Sequence, residues 1–135
     1  NKEENQFRKF CKYAFSKGNV VVMIDEVHAY VTKQKIIKEY NDLILSGRPR
    51  GISVISISTR PASLPNNVLT NGKHVFTFRL NIESDVKFLE GWLGSEVWQV
   101  VQQNKRMKHK DLPELPEHSF FYRNMDEHEG QIGKV

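Results

Sequence analysis

The chain has 135 residues, 39% of them hydrophobic and 27% charged, the balance of one folded domain with a core rather than of a disordered segment. Its longest wholly apolar run, Val20 to Ile24, is too short to cross a bilayer, and no basic-then-apolar start resembles a secretory signal. A single cysteine, Cys11, excludes an internal disulfide framework and fits a reducing, cytoplasmic setting, while a net charge of +4 permits nucleic acid without demanding it.

The first predicted element is a helix from about residue 3 to about residue 17, where Phe7, Phe10, Cys11, Ala14 and Phe15 recur at helical spacing. Glu3 and Glu4 lie early in it and Lys17-Gly18 late, matching the helix dipole and a glycine stop. NVVVMIDE follows, an apolar run ending in two carboxylates, which predicts a short strand buried on both faces of a parallel sheet. A second helix is expected over about Thr32 to Leu45, with Ile36, Ile37, Tyr40, Leu43 and Ile44 along one side and Ser46-Gly47 at its end. The basic turn GRPRG leads into a second buried strand, about Ile52 to Ser58, and then into a loop punctuated by Pro61 and Pro65. A short helical piece near Val68 to Asn71 precedes a third strand within HVFTFRL.

This order, α-β-α-β-(α)-β, favours a parallel α/β sheet. Two further helices are expected, Glu83 to about Trp92 and Ser95 to about Asn104, separated by Gly91 and Gly94. Trp92 and Trp98 lie among Phe88, Leu89, Leu93, Val97 and Val101 and read as contacts between these two helices. The run Lys105 to Lys110 is either a solvated loop or a contact for DNA phosphates. Pro113 and Pro116 interrupt regular structure, and SFFYRN and GQIGKV, on either side of MDEHE, read as a terminal hairpin. His109, His118 and His128 show no zinc-like spacing with Cys11.

Chemistry concentrates at Asp25 and Glu26. Ligands of open α/β sheets gather at the carboxyl ends of strands, where these acids fall. One carboxylate there suits a hydrated Mg2+, which takes few protein oxygens. The next side chain points the other way along a strand, and so is free to accept a proton from a water attacking a phosphate. The plainer alternative is that Asp25 caps the following turn and Glu26 is merely solvated.

Taken jointly, VVVMIDEVHAY, GRPRGISVISISTRPASLP and VFTFRL resemble the second half of the core of the HerA/FtsK superfamily of P-loop ATPases, ring-forming motors that move DNA. The similarity runs from about Asn19 to Leu93, and the terminal SFFYRN…GQIGKV is similar to the hairpin that often closes this core. The resemblance implies a RecA-like P-loop NTPase core fragment over residues 1–135: α/β, with a largely parallel sheet flanked by helices and a C-terminal β-hairpin. It implies ATP and Mg2+ as cofactors, Asp25 as the Walker B ligand of Mg2+ through water, and Glu26 as the base that polarises the attacking water. Arg48, eleven residues before the sensor position, would be the arginine finger reaching a neighbouring subunit's nucleotide, with Arg50 as runner-up. Thr59 takes the sensor position, where the family usually has glutamine. Arg60 and Arg79 are basic residues near strand ends that either face phosphate or serve as ion-pair partners. A homo-oligomeric ring, in the manner of hexameric motors, and double-stranded DNA are the implied partners.

One departure stands out. No G-x-x-x-x-G-K-[ST] occurs in the sequence: Gly72-Lys73 is followed by His74 and lacks the earlier glycine. The chain is therefore expected to carry the Walker B, sensor and arginine-finger portion without Walker A, and to bind ATP poorly by itself. Two alternatives stand beside this reading. Asp25-Glu26-Val27-His28 also matches the DExH box of superfamily 2 helicases, with His28 then beside the site, although Ile57-Ser58-Thr59 does not match their S-A-T element. A degenerate, non-catalytic ATPase module for assembly or DNA binding fits the missing loop but not the intact acid pair.

Overall fold

Helix α1 (Lys2–Lys17) buries Phe7, Cys11 and Ala14, spaced three or four residues apart, and carries Glu3 and Glu4 in its first turn and Lys17 in its last. In this computed structural model, which describes residues 2–80, 82–97, 118–127 and 129–134, the chain then reverses through Gly18 and Asn19, both at positive φ. Strand β1 (Val21–Ile24) follows. A one-turn 3-10 segment at Val27–Ala29 leads toward α2 (Lys38–Ser46), and a second such turn at Arg48–Arg50 leads into β2 (Ser53–Ser56). A Pro61–Ser63 turn and the short α3 (Asn66–Thr70) complete the first of two compact units, Asn1–Asn71.

Strands β1 and β2 pair in parallel, with Val21 opposite Ser53 and Ile24 opposite Ser56. Side chains alternate, so Val22, Ile24, Val54 and Ser56 share one face of the pair and Val21, Met23, Ser53 and Ile55 share the other. Helix α2 lies on the first face, where Tyr40 Oη and Ser56 Oγ are 2.8 Å apart. Helix α1 packs on α2: the Phe7 and Tyr40 rings are 6.0 Å apart, and Arg8 donates to Glu39 at 2.8 Å. Val22, Ile24, Phe7, Tyr40, Leu43 and Ile52 are all buried. Each such large apolar side chain contributes roughly 1.5–3 kcal/mol by leaving water.

The second unit, Gly72–Val135, contains β3 (His74–Thr77), α4 (Glu83–Leu93), a turn at Ser95–Val97, β4 (Ser119–Asn124) and β5 (Glu129–Lys134). Its sheet is antiparallel in the order β3-β4-β5, with Phe76 opposite Tyr122 and Phe121 opposite Ile132. Val86, Leu89, Leu93 and Val97 form a core with Phe121. Gly133 and Gly130 leave room for the rings of Phe120 and Phe121, which a Cβ at either position would strike.

The α/β class, a parallel strand pair and the C-terminal hairpin are as expected. Four details differ. First, β1 is covered on one face only: Val22 and Ile24 are 3% and 5% exposed, whereas Val21 and Met23 are 70% and 62% exposed. Second, β2 is shorter than expected and mostly exposed, with only Val54 half-buried.

Third, α2 starts at Lys38 rather than near Thr32. The Thr32 N–H donates to Lys35 O at 2.9 Å while its hydroxyl accepts the Lys35 N–H at 3.2 Å, a local turn that competes with helix. Ile36, expected on the buried side, consequently stands exposed. Fourth, β3 pairs antiparallel with the hairpin rather than extending the parallel pair. Most of the helix expected over Ser95–Asn104, together with Trp98, the Lys105–Lys110 run, Pro113, Pro116, His109 and His128, lies outside the described residues.

Candidate active site

Because β1 and β2 run parallel and in step, their carboxyl ends emerge side by side. Two backbone bonds carry the ladder one step further, from Ile57 N to Ile24 O and from Val27 N to Ile57 O, both at 2.9 Å. The segment Asp25-Glu26-Val27-His28 is thereby laid against Ser58-Thr59-Arg60.

Asp25 is exposed, and its Oδ1 accepts the Glu26 N–H at 2.8 Å. Glu26 adopts φ 49 and ψ 41, a left-handed conformation that disfavours a non-glycine residue by roughly 1–2 kcal/mol. Such an outlier at a strand end is a place where strain and function coincide. The Glu26 carboxylate is held through one oxygen: Oε2 accepts from Thr59 Oγ1 at 3.3 Å and lies 3.1 Å from His28 Nε2. Oε1 has no partner among the described residues, and the side chain is half exposed. A carboxylate with one oxygen anchored and the other open to water is suitably disposed to accept a proton.

Behind it runs a chain of donors and acceptors. The Arg60 N–H donates to Ser58 Oγ at 3.0 Å, and Ser58 Oγ is 3.0 Å from His28 Nδ1. Ser58 Oγ, which accepts from Arg60, still has its own proton to donate; when that proton goes to Nδ1, the ring proton sits on Nε2, 3.1 Å from Glu26 Oε2. His28 was expected only to stand beside the site, and Ser58 was not singled out. What joins them is the register of β1 and β2, which the sequence by itself does not disclose.

Thr59, at the sensor position, thus contacts Glu26 directly. Arg60 is exposed on the same loop, and its carbonyl accepts from Ser63 Oγ at 2.7 Å. Arg48 is elsewhere: it precedes β2, whereas Thr59 follows it. The intervening extended chain, Ile52 to Ser58, spans roughly 20 Å. Its exposed side chain has no partner among the described residues. Arg50, by contrast, is engaged within the chain: Nε donates to Phe15 O at 2.9 Å at the end of α1, and the guanidinium lies 4.8 Å from the Phe15 ring centroid. Arg79 lies in the second unit just after β3 and is half-buried.

Asp25 fits a water-mediated Mg2+. Its Oδ2 has no partner among the described residues, and no group of three His, Cys, Asp or Glu there forms an all-protein metal cage. Cys11 takes no part: it is fully buried, and burial pushes its thiol up to about 12. No helix among the described residues is long and apolar enough to cross a membrane.

No protein-family model and no curated protein sequence matches the chain. Solved structures do. The genome packaging NTPase B204 from Sulfolobus turreted icosahedral virus 2, in complex with ATP-gammaS, superposes with a TM-score of 0.73 at 18% identity, covering 96% of this chain and 61% of that one. Its complex with AMPPCP gives 0.71 at 18% identity, covering 96% and 64%. B204 from Sulfolobus Turreted Icosahedral Virus, a DNA-packaging ATPase, gives 0.63 at 20% identity, covering 87% and 52%. The chain spans about three fifths of the length of the first two. The likeness is one of fold, and the chain has the α/β fold of these packaging NTPases across nearly all of its own length.

Proposed function

We propose that this chain is the Walker B half of a DNA-packaging ATPase of the HerA/FtsK type. The observation that carries the reading is the acid pair: on the fold of ATP-binding packaging NTPases, Asp25 and Glu26 sit at the carboxyl end of β1, beside the end of its parallel partner β2. Asp25 would hold Mg2+ through water, and the ion, when bound, would neutralise charge on the phosphates of ATP. Glu26 takes the proton of the attacking water on its open Oε1, while Thr59 fixes the other oxygen. Arg60, on the same loop, is the further basic residue assigned to phosphate. The complete nucleotide site also requires a phosphate-cradling loop, which this sequence does not contain.

Arg48 is assigned to a neighbouring subunit's nucleotide in a ring, with double-stranded DNA as the substrate that is moved. Support comes from its separation from Glu26. Roughly 20 Å of strand is beyond the reach of an arginine side chain, so Arg48 does not serve the nucleotide that its own Glu26 serves. Arg50 is already engaged with α1. The packaging-type fold favours this reading over a superfamily 2 helicase.

The test is ATP turnover of the complete protein when Arg48→Ala subunits, inactive alone, are mixed with Glu26→Gln subunits, also inactive alone. Activity is expected to reappear on mixing, because a site that takes its glutamate from an Arg48→Ala subunit and its arginine from a Glu26→Gln neighbour is complete. No recovery contradicts catalysis between subunits, and full activity of Arg48→Ala by itself contradicts a catalytic role for this arginine.

A further inference from the structure

We propose that His28 is a positioning residue for Glu26, and that Ser58 sets the ring of His28 so that the end of β2 controls where the carboxylate stands. The inference rests on the reading of Glu26 as the base. Three observations converge on it. Glu26 has a left-handed backbone, at φ 49, so its side chain leaves the strand at an angle that no regular β geometry would hold in place. Its anchored oxygen meets two groups, Thr59 Oγ1 and His28 Nε2, at 3.3 and 3.1 Å.

The third observation concerns the ring. The His28 side chain is only 21% exposed, and its other nitrogen is 3.0 Å from Ser58 Oγ. A histidine ring hydrogen-bonded at Nδ1 and 3.1 Å from a carboxylate oxygen at Nε2 is fixed in orientation, and a Ser58 hydroxyl that donates to Nδ1 leaves the ring proton on Nε2. The continuous path runs from the Arg60 N–H to Ser58 Oγ, to the His28 ring and to Glu26 Oε2. Movement of the Ser58-Thr59-Arg60 loop, for instance when Thr59 or Arg60 meets phosphate, therefore displaces both groups that hold Glu26. The arrangement ties the orientation of the base to the state of the neighbouring strand end. His28 itself touches neither metal nor substrate.

The experiment measures kcat and KM for Mg-ATP in the complete protein carrying His28→Ala, His28→Gln, His28→Asn, Ser58→Ala or the double change His28→Ala/Ser58→Ala, with Glu26→Gln as reference. His28→Ala is expected to lower kcat by about tenfold or more, with KM changed less than about twofold, since orientation rather than nucleotide contact is lost. Glutamine reproduces a donor near the Nε2 position and is expected to recover most of kcat. Asparagine reproduces only the Nδ1 side, toward Ser58, and is expected to behave like alanine, a contrast that survives should His28→Ala fold poorly. Ser58→Ala should give a smaller loss that adds nothing to His28→Ala, because both act along one path.

The proposal is overturned if His28→Ala keeps kcat within about twofold of wild type while Glu26→Gln abolishes turnover. It is also overturned if glutamine is no better than asparagine, or if the His28 and Ser58 losses multiply. Normal turnover by Glu26→Gln overturns the assignment of the base itself, and this inference with it.

Discussion

Glu26 shows how much a single residue can be bent to a task. Its left-handed backbone, at φ 49, is favourable for glycine and unfavourable for every residue with a Cβ. The contacts of its carboxylate with Thr59 and His28 offset a cost of that size. Replacing Glu26 by alanine and by glycine removes the same carboxylate while changing the backbone preference. The glycine variant is expected to be the more stable by about 1 kcal/mol, in reverse of the usual order in regular structure. Urea unfolding midpoints of the two variants check this, and an alanine variant at least as stable as the glycine one would show that no strain is stored there. Asp25 and Glu26 were legible because an apolar run ended abruptly in two acids. The bond between His28 and Ser58 was not, since it depends on which residues of two separate strands come level. Likewise, only the spacing to the sensor position, taken from the family resemblance, ranked Arg48 above Arg50. Only the position of Phe15 at the end of α1 shows that Arg50 is engaged.

Among elements, the packing of α1 on α2 carries an electrostatic staple. Arg8 donates to Glu4 at 2.9 Å and to Glu39 at 2.8 Å, and Lys35 reaches Glu4 at 2.9 Å. The hydrogen bond from Lys35, then that from Arg8, holds the Glu4 carboxyl below its ordinary value of 4.5. Glu39 is lowered first by its own backbone N–H and then by Arg8. Both carboxylates are thus more acidic folded than unfolded. Their contribution is fully present above about pH 4.5 and is lost as pH falls through the depressed folded values. Arg8→Ala is expected to lower the urea midpoint near neutral pH, with the gap to wild type closing as pH drops below about 4. A gap that stays constant with pH would mean that the Arg8 stem, not its charge, matters.

The helices α1 and α4 were readable from apolar spacing because each buries a regular stripe. The start of α2 was not, because Thr32 makes a local turn through its own hydroxyl. The exposure of β2 was equally hidden, since a run such as ISVISIS has the composition of a buried strand whether or not anything covers it.

For the whole molecule, the alternation of helix and strand disclosed an α/β chain and the paired terminal segments disclosed the hairpin, but strand order did not disclose partners. β3 follows a helix as a parallel strand would, yet it pairs antiparallel with β4. Phe76 and Tyr122 face one another across that pairing with ring centroids 4.8 Å apart, a contact between residues remote in sequence. At this scale the proposed function makes Asp25 and Glu26 the hydrolytic acid pair of a DNA-moving ATPase. The most direct measurement is steady-state ATP turnover of the complete protein with duplex DNA, wild type against Glu26→Gln, alongside Mg-ATP affinity. With Glu26 as the base, turnover is expected to fall by about 100-fold or more with affinity retained. Unchanged turnover in the glutamine variant would contradict that assignment.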